Sequence, residues 1–179
     1  MRLILLRHPK PLVAAGVCYG STDLAVASGE LERVRAELDR LPPHAALYSS
    51  PLRRCAELAT RLSSTRPHFD ARLVEMDFGS WEMRRWDDIA RAEIDAWAAD
   101  LVHYRPGGGD SVLHMARRVA DFYADIQRQQ SGDSIVVCHA GTIRLLAACH
   151  AGLSPADAAL QAARTPHAIA YGGALTLEF

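Results

Sequence analysis

Two histidines in this chain stand directly behind short apolar runs. His8 follows Leu3-Ile4-Leu5-Leu6-Arg7, and His139 follows Ile135-Val136-Val137-Cys138. A third run, Ala45-Ala46-Leu47-Tyr48, leads into Ser49 and Ser50 and then to the adjacent Arg53 and Arg54, and Glu75 follows Arg72-Leu73-Val74. This set suits a phosphate ester. Arginine offers planar, permanently charged donors that match phosphoryl oxygens. An imidazole attacks phosphorus when neutral, and an unperturbed pKa of about 6.5 leaves it so at working pH. The covalent intermediate is then open to water. A carboxylic acid beside a phosphate dianion is held protonated by like-charge repulsion and can give its proton to a leaving alkoxide. A neutral histidine, a cationic clamp and an acid would together form a metal-free phosphatase. Residue types alone leave Arg53 and Arg54 as alternatives, and Asp77 and Glu82 as competitors of Glu75.

Strands must bring these residues to one place. Leu3–Leu6 and Ser134–Cys138 are continuous apolar runs, the pattern of strands buried on both faces of a parallel sheet. Ala45–Ser49 reads as another strand, and Ala168–Tyr171 with Ala174–Phe179 reads as a closing hairpin around Gly172-Gly173. Helices are expected over Ser28–Arg40, capped by Ser28, and from Ser50-Pro51 to Leu62, capped by Ser50. Further helices are expected over Trp86–Ala99, after an Asp110 or Ser111 cap, over Thr142–His150 and over Pro155–Ala163. Strand–helix alternation predicts an α/β fold with a mainly parallel sheet. In such sheets ligands bind beyond the carboxyl ends of the strands, where His8, Ser50 and His139 fall. The helix opening after His139 adds backbone N–H groups for an anion.

The 179 residues fit one domain, and a 49% apolar, 23% charged composition is that of a globular protein. A net charge of −1 gives no electrostatic footprint for nucleic acid or an anionic membrane. Cys18, Cys55, Cys138 and Cys149 form no CxxC pair, and the expectation is reduced thiols in a cytoplasmic protein. His44, His68, His103, His114, His150 and His167 show no paired ligand spacing, so no metal site and no cofactor are expected. His167 is placed near the active edge by its position before the tail strand. Trp81, Trp86 and Trp97 read most simply as core or rim aromatics.

Four segments, in order, resemble the histidine phosphatase superfamily. Arg7-His8 after a strand is similar to its Arg-His-Gly signature. Ser50-Pro51-Leu52-Arg53-Arg54-Cys55 is similar to its Ser-Pro-Leu-x-Arg-Ala segment. Glu75-Met76-Asp77-Phe78-Gly79-Ser80-Trp81-Glu82 is similar to Glu-x-x-Phe-Gly-x-Trp-Glu, and His139-Ala140-Gly141-Thr142-Ile143-Arg144 to His-Gly-Gly-x-x-Arg. The resemblance implies a three-layer α/β/α, phosphoglycerate mutase-like fold in one domain spanning 1–179. It implies that His8 is phosphorylated in the intermediate, that Arg7, Arg54 and His139 hold the phosphoryl oxygens, and that Glu75 donates the proton. It selects Arg54 over Arg53.

The chain departs from that pattern at Pro9, Ala140 and Met83, each in place of a usual glycine. Pro9 removes a backbone N–H, and Ala140 narrows the room for close backbone approach. Arg7-His8-Pro9-Lys10-Pro11 followed by Gly16–Leu24 resembles the bacterial α-ribazole phosphatase branch, which removes a 5′-phosphate during assembly of the lower ligand of cobalamin. Tyr19 and Gly20, in a loop, and Ala140 and Gly141 are the expected substrate-binding residues. The expected partner is a small-molecule phosphate ester, with a homodimer as the candidate protein assembly. The rival readings are a phosphoglycerate mutase-type phosphotransferase, for which the chain is short, a protein phosphohistidine phosphatase, which would need an open site, and a non-catalytic binding module.

Overall fold

The computed structural model describes the chain except for residues 39–40, 63–65, 130–131 and 167. His167 and the expected helix end at Arg40 therefore lie outside the described residues. In chain order the elements are β1 (Arg2–Arg7), α1 (Ser28–Glu37), β2 (Ala46–Ser49), α2 (Arg53–Leu62), β3 (His68–Phe69), α3 (Arg91–Ala99), α4 (Val112–Gln129), β4 (Ser134–Cys138), α5 (Ala140–His150), α6 (Pro155–Arg164) and β5 (Ala174–Glu178).

The five strands form one sheet in the order β3-β2-β4-β1-β5. All neighbours are parallel except β5, which runs antiparallel to β1. Alternation along the two central strands divides the core between the faces. Leu3, Leu5, Val136 and Cys138 pack with Met115, Val119 and Phe122 of α4, Leu146 of α5 and Ala159 of α6. Ile4, Leu6, Ile135 and Val137 pack on the other face with Leu31 and Val34 of α1 and Cys55 and Leu58 of α2. The result is the α/β/α arrangement expected, and it explains why β1 and β4 are apolar throughout.

Several local expectations are modified in the fold. Ala27, not Ser28, is the N-cap of α1. The helix expected from Ser50-Pro51 begins at Arg53, because the Ser50 hydroxyl is held by His139 at 2.9 Å. Asp23 accepts from the Arg53 N–H at 2.6 Å and serves that helix end from a distant loop. Trp86–Ala99 is a single 3₁₀ turn, Trp86–Asp88, followed by α3. The expected tail hairpin is absent among the described residues. Ala174–Glu178 pairs with β1 instead, and Arg7 and Gly172–Gly173 exchange backbone hydrogen bonds. Ser111 does cap α4, accepting from His114 N at 3.1 Å.

Candidate active site

Register decides where the chemistry converges. Arg7 lies beside Cys138, and Ser49 beside Val137, so β1, β2 and β4 end together. His8 N and Ser50 N extend the ladder by donating to Cys138 O and Val137 O, each at 3.0 Å. His8, Ser50 and His139 thus meet at one edge, with 5.1 Å between the two imidazole centroids. Arg54 reaches the same point from the first turn of α2. These polar groups are deeply sequestered: Arg54 and His139 are fully buried and His8 is only 3% exposed.

Hydrogen bonds define both tautomers. The Pro9 carbonyl lies 2.7 Å from His8 Nδ1 and can only accept, so Nδ1 carries the proton and Nε2 keeps its lone pair. Burial, with Arg54 and Arg7 nearby, pushes the His8 pKa down to about 3. Arg54 Nε donates to His139 Nδ1 at 3.3 Å, which leaves His139 Nε2–H to donate to Ser50 Oγ. His139 is likewise held neutral, well below the ordinary imidazole range, by burial and then by Arg54 and His8. Pro9 therefore costs a backbone N–H but supplies, from a ring-restricted residue, the carbonyl that orients the first histidine.

The cations are held by backbone carbonyls and an aromatic face. Arg54 donates to Thr22 O at 2.6 Å and to Gly20 O. Arg7 donates to Ile169 O at 2.5 Å, and its guanidinium lies 3.9 Å over the Tyr171 ring. Among the described residues neither arginine makes an ion pair, so both charges are left for an anion. Arg53, by contrast, points to Glu57 on the exposed side of α2.

Glu75 closes the set. Its Oε2 accepts from Gly141 N at 2.9 Å, in the first turn of α5. The helix N-terminus that was expected to bind phosphate thus holds the protein's own carboxylate. A Cβ on Gly141 would lie 2.4 Å from Glu75 Oε1, so the glycine is required for this approach. Asp77 accepts from Gly79 N and Ser21 Oγ, and Glu82 binds backbone N–H groups. Among the described residues Glu75 is the one carboxylate lining the central cavity.

That cavity, of about 380 Å³, brings together Arg7, His8, Arg54, Glu75, Tyr19, Ala140 and Gly141. His139 stands behind Arg54 and His8, and Gly20 lies off the wall, its carbonyl turned to Arg54. Sequence reasoning places Ser50 at this edge, but Tyr171 and the joining of Phe78, Trp86 and Trp97 into one largely apolar far wall escape it. Tyr171 is brought to the site by the Gly172 turn and bonds the Tyr19 hydroxyl at 2.6 Å. The far wall includes Phe78, Trp86, Trp97 and Leu101, with Trp86 and Trp97 stacked at 6.2 Å and 10°. Trp81 is the core member, buried with Cys18 and Ile89. Met83, in place of the usual glycine, has a left-handed φ of 65°, which explains why a glycine suits that position.

Comparison with known proteins agrees with this geometry. Residues 3–168 match the family model of the histidine phosphatase superfamily (branch 1). The chain is 29% identical over 177 residues to the adenosylcobalamin/alpha-ribazole phosphatase of Escherichia coli (strain K12), covering 83% of this chain and 78% of that protein. It is 28% identical to the metal-independent phosphoserine phosphatase of Arabidopsis thaliana, covering 80% and 66% of the two chains. The alpha-ribazole phosphatase of Shigella flexneri superposes with a TM-score of 0.82 at 25% identity, over 99% of this chain and 90% of that one.

Proposed function

The chain belongs to the histidine phosphatase superfamily, branch 1, and we propose that His8 is the nucleophile with which this phosphatase opens small-molecule phosphate esters. The observation that carries the assignment is the hydrogen bond from His8 Nδ1 to the Pro9 carbonyl, which leaves a neutral imidazole with a free Nε2 lone pair in a cavity it shares with Arg7 and Arg54, neither of which makes an ion pair among the described residues. In the first step Nε2 attacks phosphorus and the ester P–O bond breaks. The leaving oxygen takes the Glu75 proton. In the second step water attacks phospho-His8, Glu75 takes the water's proton, and the P–N bond breaks to give inorganic phosphate and the starting imidazole. Arg7 and Arg54 stabilise the transferring group, and His139 acts through Arg54, whose Nε–H it holds by accepting at Nδ1. Metal is required at no step of this scheme.

The substrate we propose is α-ribazole 5′-phosphate, or an ester like it whose alcohol carries an aromatic base. The two alpha-ribazole phosphatase relatives support this, and so does the apolar wall of Phe78, Trp86 and Trp97, which suits a flat ring better than a sugar or an amino acid. The low exposure of His8, at 3%, disfavours phosphohistidine on a protein surface as the substrate. No helix among the described residues is long and apolar enough to cross a membrane.

Hydrolysis of p-nitrophenyl phosphate and α-ribazole 5′-phosphate by wild type and His8→Ala, with and without chelator, tests the reading. Wild type should release phosphate in chelator, with α-ribazole 5′-phosphate preferred over phosphoserine, and His8→Ala should be inactive. Full activity in His8→Ala would overturn the nucleophile, and a preference for phosphoserine would overturn the substrate.

A further inference from the structure

Glu82 lies outside the cavity, yet its carboxylate is the most heavily bonded side chain near it. Oε1 accepts from Ser21 N at 2.9 Å, Phe78 N at 3.0 Å and Gly20 N at 3.1 Å, and Oε2 accepts from Thr22 N at 3.3 Å and from the Thr22 hydroxyl. Burial alone would push its carboxyl up, but the bonds from Thr22, Phe78, Gly20 and Ser21 prevail and hold it below the ordinary carboxylate range. Three consecutive N–H groups, at 20, 21 and 22, therefore point at one anion. The Gly20 carbonyl shares its peptide unit with the Ser21 N–H, the Thr22 carbonyl follows the last of the three donors, and both accept from the Arg54 guanidinium. Gly20 is pinned further, since a Cβ there would lie 1.8 Å from Met76 O.

We propose that Glu82 is a positioning residue for phosphoryl recognition: it organises the Gly20–Thr22 loop so that two backbone carbonyls aim Arg54 at the phosphoryl group. The inference rests on Arg54 binding that group. Two of the five N–H donors of Arg54 are fixed by the loop and one by His139, which leaves two for an anion in one orientation. Without the loop the buried guanidinium loses the acceptors that define its plane. Glutamine cannot replace Glu82, because its NH₂ would face donors.

The test is a double-mutant cycle with inorganic phosphate and orthovanadate as competitive inhibitors and p-nitrophenyl phosphate as substrate. Glu82→Gln should weaken both inhibitors and lower kcat/KM by about tenfold, the effect of losing one well-placed hydrogen bond to a charged group. Arg54→Ala should cost more. Adding Glu82→Gln to Arg54→Ala should then change either reading by less than about twofold, because the residue acts through a side chain already gone. A full additional tenfold loss in the Arg54→Ala background would overturn the proposal, as would unchanged inhibitor affinity in Glu82→Gln alone. If Arg54→Ala itself leaves phosphate affinity intact, it is the assignment of Arg54 that fails. Should Glu82→Gln not fold, Thr22→Val, which removes one hydroxyl contact and keeps the backbone, carries the same cycle with an expected loss of about threefold and the same non-additivity.

Discussion

Both histidines of the site are buried and neutral, and this couples the protein's stability to pH. In the unfolded chain His8 titrates at about 6.5, whereas in the folded protein burial and then the nearby Arg54 push it down to about 3. Between those values the unfolded state binds a proton that the native state refuses, so stability is present above pH 6.5 and is lost as pH falls through the window. From pH 7 to pH 5 the unfolded state gains about 25-fold in statistical weight from one such histidine, or about 2 kcal/mol. His139 is shifted in the same direction, by burial and then by Arg54 and His8, so it adds to the loss over that interval. Urea denaturation at pH 7, 6 and 5 measures this directly. Asn at position 8 keeps a side-chain donor within reach of the Pro9 carbonyl but cannot titrate. The His8→Asn protein should therefore lose about 2 kcal/mol less than wild type between pH 7 and 5, whatever the carboxylates contribute to both. Equal pH dependence in wild type and His8→Asn would refute the claim that His8 is held neutral by its surroundings.

Three further outcomes follow from particular contacts. Gly141→Ala should displace Glu75, whose Oε1 would lie 2.4 Å from the new Cβ, and lower kcat by about tenfold or more on alkyl phosphates. The loss should be much smaller on p-nitrophenyl phosphate, whose leaving group needs no acid, and equal losses on both substrates would contradict the assigned role. Tyr171→Ala should raise KM about fivefold by removing the ring 3.9 Å from the Arg7 guanidinium, while Tyr171→Phe keeps the ring and should stay near wild type. Met83→Gly relieves a left-handed φ of 65° at a cost in unfolded-state entropy, and thermal unfolding should show a net gain of up to about 1 kcal/mol rather than a lower Tm.

What sequence could reveal about this protein is whatever depends on neighbours along the chain. Apolar runs made β1 and β4 legible, and the rule for parallel sheets placed His8 and His139 at their carboxyl ends. Arg54 and Glu75 were legible through resemblance, since nothing local separates Arg54 from Arg53 or Glu75 from Asp77. The helix over Ser28 begins where the sequence places it, with its cap one residue earlier at Ala27, whereas the helix expected from Ser50 starts later because a distant partner can override a local capping preference, as His139 does for Ser50 across 89 residues. The neutral state of the histidines, the use of the α5 N-terminus by Glu75, the Tyr171 face and the Glu82 loop all depend on contacts between segments far apart in sequence. Only the packed sheet brings those segments within hydrogen-bond distance and excludes the water that would otherwise satisfy them. Sequence therefore identified which groups could move a phosphoryl group, and the tertiary structure decided their tautomers, their aim and the shape of the space left for the rest of the substrate.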